Sequence, residues 1–208
     1  MTRGTTWIIG GTGLILSGAV GLLGAGSVGL AGSSILVTVQ NVVFAASVLL
    51  LAVGMRRADS VVARRPTGVV ALAVLAVWPF VADGAVAAVG SVQPNGGAGW
   101  AVLGYASLLI PTAAGLVGAV AILRAGAVPE PWRWAPLWAF ALQVGVWALT
   151  QALAVALGAD VLSVSGVFVL LGAVAFLTGT VGLGVVAVIL GARRRGATVE
   201  VFRSPPGR

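Results

Sequence analysis

ILVTVQNVVFAASVLLLAVG (residues 35–54), MRRADSVVARRPT (55–67) and GVVALAVLAVWPFVADGAVAAVG (68–90) decide the fold. The first and third pieces are apolar runs, broken by a single charge, Asp83. A helix needs roughly 20 predominantly apolar residues to cross a hydrocarbon core about 30 Å thick. Each run is long enough for one crossing. The piece between them holds Arg56, Arg57, Arg64 and Arg65. Short loops rich in arginine stay on the cytoplasmic side, so the three pieces read as one crossing, a cytoplasmic turn and a crossing back.

Four more runs of the same kind extend the pattern in both directions. The expected fold is all-α: a polytopic integral membrane protein, a bundle of six transmembrane helices in three consecutive hairpins. The spans fall at about 7–30, 35–54, 68–90, 101–123, 135–157 and 167–191. Residues 1–191 form a single domain in this reading, and 192–208 are a basic cytoplasmic tail expected to be disordered. The first connection, 31–34, is tight, and the third span has an alternative end before Gly90. The first run exceeds the 7–15 apolar residues of a signal peptide and is expected to be retained. No internal repeat is visible.

Composition agrees. Of 208 residues, 59% are hydrophobic and 8% charged, against about 25% charged in a soluble domain. Such a chain cannot coat itself for water. All 12 arginines fall at alternate ends of the runs: Arg3, the four at 56–65, Arg124 and Arg133, and Arg193, Arg194, Arg195, Arg203 and Arg208. Connections 31–34, 91–100 and 158–166 hold none. An odd number of crossings would scatter them over both sides. Both termini are therefore expected inside, an N-in/C-in topology in the cell (plasma) membrane. Trp7, Trp132 and Trp134 fall at the inner interface and Trp100 at the outer one. Residues 129–134, rich in proline, read as a stiff interfacial turn.

The net charge of +7 is spread between apolar runs, which argues against nucleic acid and for anionic lipid at the cytoplasmic face. The expected partners are the bilayer and another membrane protein or a second copy of the chain. Arginine wholly in place of lysine, with abundant Ala, Val and Gly, matches the codon bias of a GC-rich bacterial genome.

The chain has no Cys, His or Lys. That removes disulfides and thiol redox chemistry, His- or Cys-ligated zinc, haem and iron–sulfur centres, lysine Schiff bases and Ser-His-Asp catalysis. No metal, cofactor or catalytic residue is expected.

Three features could carry function. Small residues recur on the first helix at Gly13, Ser17, Gly21, Ala25 and Gly29, and on the sixth at Gly172, Ala175, Gly179 and Gly182. Such stripes let helices approach closely, within the bundle or against a partner. Pro79 and Pro111 fall near the middle of their spans, where each frees the carbonyl four residues earlier, at Leu75 and Ser107. Plain kinks and broken-helix binding sites both look like this. Asp83 is the one acidic residue inside a span. By helical rise it lies about 10 Å below the outer end. Gln40, Asn41, Tyr105, Ser107, Thr150 and Gln151 fall at similar depth, with Gln143 deeper. Either they form a polar cavity with Asp83 as a proton or cation site, or Asp83 sits at the interface and the amides bridge helices. A lone carboxylate lacks the partner that acid–base hydrolysis needs, so no enzyme is expected. The function read from the sequence is a non-enzymatic accessory, scaffold or assembly component acting through helix packing. The alternative is a small transporter or channel built around Asp83.

Overall fold

Every regular element is helical among the residues described, 4–26, 33–55, 59–93, 96–130, 132–158 and 165–195 of a computed structural model, and no strand occurs there. The helices are α1 (Thr5–Gly26), α2 (Ser33–Val53), α3 (Pro66–Val92), α4 (Ala98–Ala125), α5 (Ala135–Leu157), α6 (Ser165–Leu177) and α7 (Leu183–Arg195). A π turn, Thr178–Gly182, joins α6 to α7 in one continuous rod. With that rod taken as one, the described residues hold 6 helices long and apolar enough to cross a membrane. Large apolar side chains are exposed on all of them, including Leu23, Ile35, Val70, Leu109, Val155 and Val169. Helix is the structure such segments must take where water is absent, because it satisfies each backbone donor and acceptor internally.

The elements match the six expected spans with shifts of a few residues. α3 continues to Val92, so Asp83 stands inside the helix and the early end does not occur. Positions 27–30 of the first span, Gly29 with them, lie outside the described residues. So do Arg3, Arg56, Arg57, the connection at 159–164 and residues 196–208 of the tail. Residues 132–134 form a short 3₁₀ turn leading into α5, and Arg133 pairs there with Glu130.

Consecutive rods are neighbours, and the α6–α7 rod closes back on α1. The six therefore form a ring. Its tightest seam is built on glycine. Gly4, Gly11 and Gly18 recur at a seven-residue spacing in and just before α1, and Gly184 and Gly191 do so on α7. A Cβ on Gly11 would lie 2.6 Å from the carbonyl oxygen of Gly184, and one on Gly184 would lie 2.7 Å from that of Gly11. Gly4 and Gly191 meet in the same way. Backbone touches backbone along this line, so nothing larger than glycine fits.

Two glycines of the expected α1 stripe, Gly13 and Gly21, face α2 and its surroundings: Gly13 abuts Ser47, and Gly21 abuts Gln40 and Phe176. Ser17 between them is fully buried and donates to the carbonyl of Gln40 at 3.3 Å. Ala25 is exposed. On the sixth rod Ala175 is fully buried, but a Cβ on Gly172 or Gly179 would meet nothing within 4 Å, and Gly182 touches only its own turn. Close packing on that rod runs through Gly184 and Gly191 instead.

The turn between α2 and α3 folds back into the ring as a plug. Val61 and Val62 are buried, Val62 completely. The Val61 amide donates to the carbonyl of Leu51 at 3.0 Å, and the Ser60 hydroxyl donates to that of Ala52. The Trp7 indole donates to the carbonyl of Asp59 at 2.8 Å. Trp7 is thus buried in the plug rather than standing as an exposed interfacial anchor. The reversal places Ala63 and Arg64 at φ 51° and 53°, a left-handed conformation that costs non-glycine residues energy. Arg64 offsets it by donating to the carbonyls of Val53 and Gly54 at 2.8 and 3.0 Å. A cation there also opposes the negative end of the α2 dipole.

Candidate functional site

The ring is hollow. Its centre holds a chamber of about 860 Å³, partly open to the outside, that residues of all six rods line. Small-molecule pockets typically occupy about 300–1,000 Å³. At the arginine-bearing end Val61 of the plug, Trp7, Val128, Trp132 and Leu190 form its wall. The thinnest seam of the ring lies between α4 and α5. Ala139 is the only buried residue of α5.

The wall is apolar and carries no charged side chain. Aromatic rings contribute broadly: Phe44, Phe140, Trp147 and Phe176 join the two tryptophans at the closed end. Six polar side chains interrupt the hydrocarbon, the amides of Gln40, Asn41 and Gln143 and the hydroxyls of Ser107, Thr112 and Thr180. They come from α2, α4, α5 and the π turn. A carbonyl or amide group set in such a wall orients a ligand more than it adds affinity.

Backbone irregularities gather on the same chamber. Pro79 lies mid-way along the 27 residues of α3 and Pro111 mid-way along the 28 of α4. Both prolines line the chamber, and so do Leu75 and Ser107, whose carbonyls the prolines deprive of a helical donor. The π turn sits at mid-length of the sixth rod, and its Gly179 and Thr180 line the chamber too. Short π segments inside α-helices are frequent at functional sites.

The residues expected to form a polar cavity divide into two groups. Gln40, Asn41 and Ser107 line the chamber, and the deeper Gln143 joins them. Asp83, Tyr105, Thr150 and Gln151 do not. Asp83 and Gln151 are exposed, and Tyr105 is 69% exposed. The Thr150 hydroxyl donates to its own helix at Val146. Depth alone grouped these residues; the angular position of each on its helix separates them. Among the described residues no cluster of acidic side chains could hold a metal ion.

Thr112, Thr180 and the π turn escaped the sequence reading. The signal for the last is Thr178-Gly179-Thr180-Val181-Gly182, five consecutive residues of weak helix propensity in the middle of a span. Compared with known protein families, curated proteins and solved structures, the chain matches none.

Proposed function

We propose that the chain is a multi-pass membrane protein of the cell membrane that holds an apolar, uncharged molecule in its central chamber, without catalysing its conversion. The carrying observation is the chamber itself: six rods line it, yet no charge does. A charged ligand would leave its solvation without a counter-charge, at a cost of several kcal/mol. An apolar one gives up no such solvation by entering.

The one-sided placement of the arginines supports an orientation with both termini in the cytoplasm and anionic lipid against that face. The closed end of the chamber is then the cytoplasmic end.

A second reading, contact with another membrane protein or a second copy, is favoured by Asp83. It is exposed on α3 nine residues before Val92, about 13 Å from that end by helical rise. A carboxyl facing lipid at such depth is costly and gains from a protein partner.

Organic extraction of the purified chain tests the first reading. Gly179 lines the chamber, and a side chain there starts in open space, so Gly179→Phe should obstruct it. The expected result is a neutral apolar molecule released near one per chain from the natural protein and absent from the variant. Equal release from both would contradict chamber binding.

A further inference from the structure

Two of the chamber's hydrogen-bond acceptors come from the backbone. In an α-helix each carbonyl accepts from the amide four residues on. Pro79 and Pro111 have no N–H to give, so the oxygens of Leu75 and Ser107 lose that partner. All four residues line the chamber. Helical carbonyls point toward the C-terminus, and α3 and α4 run antiparallel as a hairpin. The Leu75 oxygen therefore points toward the level of Pro79 from the arginine-bearing side, and the Ser107 oxygen points toward the level of Pro111 from the other.

Those two levels coincide. A Cβ on Gly118 would lie 3.0 Å from Leu72, and one on Gly90 would lie 3.8 Å from Trp100. The register set by both contacts puts Pro79 opposite Pro111. Two freed oxygens are thus directed at one height of the chamber, from opposite sides.

Side-chain donors stand in the same wall, the hydroxyls of Ser107 and Thr112 and the indoles of Trp132 and Trp147. The hydroxyl proton of Thr180 is used within its own helix, donated to Phe176 at 2.8 Å, which leaves only its lone pairs for a ligand. The amides of Gln40, Asn41 and Gln143 supply donors and acceptors in balance. The indole of Trp7 already donates to Asp59.

We propose that the occupant of the chamber is a neutral amphiphile whose head carries hydroxyl groups, such as an acylglycerol with free hydroxyls, and that the carbonyls of Leu75 and Ser107 receive those hydroxyls. This rests on the chamber being a binding site. It adds the chemistry of the head. A head with acceptors only, such as an ester or a quinone, brings no donor to the two oxygens in an apolar wall and leaves their lost helical partner unreplaced. An ammonium head would supply donors but bring a charge that no residue of the wall neutralises.

Binding of radiolabelled monoolein and of methyl oleate to the full-length chain in detergent tests this directly. The two share one acyl chain; the first head has two hydroxyls and the second has none. Monoolein should bind at least about tenfold more tightly. The double variant Pro79→Ala, Pro111→Ala restores an N–H to each carbonyl and should narrow the gap to about threefold or less. Equal affinity of the two probes for the natural chain would overturn the hydroxyl assignment while leaving the chamber reading intact. Should the double variant fail to fold, the comparison on the natural chain decides alone. Failure of both probes to bind, together with no apolar molecule in the organic extract, would remove the chamber reading as well.

Discussion

The two ends of the helical ring are packed in different ways. In the arginine-bearing half Val62, Ala52 and Ala76 are fully buried. At the other end Val92 is 78% exposed and Val155 85%. The buried residues of α3 stop at Ala76, and those of α4 begin only at Ala114. One half is closed by glycine contacts and a wedge of valines; the other presents apolar side chains outward. The prolines, the π turn and the amides sit at the border between the halves. Tight packing there would require straight, regular rods. The interruptions keep the rods from closing and leave a hollow where backbone oxygens are available. Closure at one end and irregularity at mid-height are thus parts of one arrangement.

Breaking the closed half should have the largest effect. Gly184→Leu drives a branched side chain into the backbone of Gly11. Overpacking of this sort costs typically about 1–3 kcal/mol. Thermal unfolding in detergent should show a Tm lower by about 5 °C or more, or no folded protein. Gly172→Leu, on the same rod where a Cβ meets nothing, should leave Tm nearly unchanged. A similar drop for both would mean that the glycine seam is not what closes the ring.

Loosening the wedge comes next. Val62→Ala removes two fully buried methyl groups and leaves a cavity, at a cost of about 2 kcal/mol. A Tm within error of the natural chain would show that Val62 is not packed against the start of α3 at Gly68.

Obstructing the border should separate stability from binding. Gly179→Phe should change Tm by no more than a few degrees while abolishing retention of the chamber's molecule in the organic extract. Loss of both together would make the π turn a structural element only.

The smallest effect is expected outside the chamber. Tyr105→Phe should alter stability by less than about 0.5 kcal/mol, and both it and Asp83→Asn should leave retention unchanged, since neither residue lines the wall. A lost ligand in Asp83→Asn would draw that carboxyl back into the site.

The sequence carried the fold further than the site. Apolar length and arginine placement located six helices because both signals are one-dimensional and need no knowledge of neighbours. Pro79, Pro111, Leu75 and Ser107 were visible as interruptions for the same reason. Which face each interruption occupies was not visible. These helices are apolar all round, so no polar stripe marks an inner side. Asp83 and Ser107 share a level, yet only Ser107 turns inward. The stripe at Gly172, Ala175, Gly179 and Gly182 marks one face by a spacing of three or four, whereas the backbone seam inside the ring follows the seven-residue spacing of Gly4 and Gly11 against Gly184 and Gly191. The plug was hidden because Val61 and Val62 stand between arginines in a short connection, and their burial depends on the reversal at Ala63 and Arg64.

An experimental density map of the chain in lipid nanodiscs tests the hollow ring most directly. Elongated non-protein density is expected at mid-height, bounded by Gln40, Ser107 and Gln143, with its polar end toward Leu75 and Ser107. A map in which α5 presses against α1 and α2, leaving no space between the rods, would contradict it.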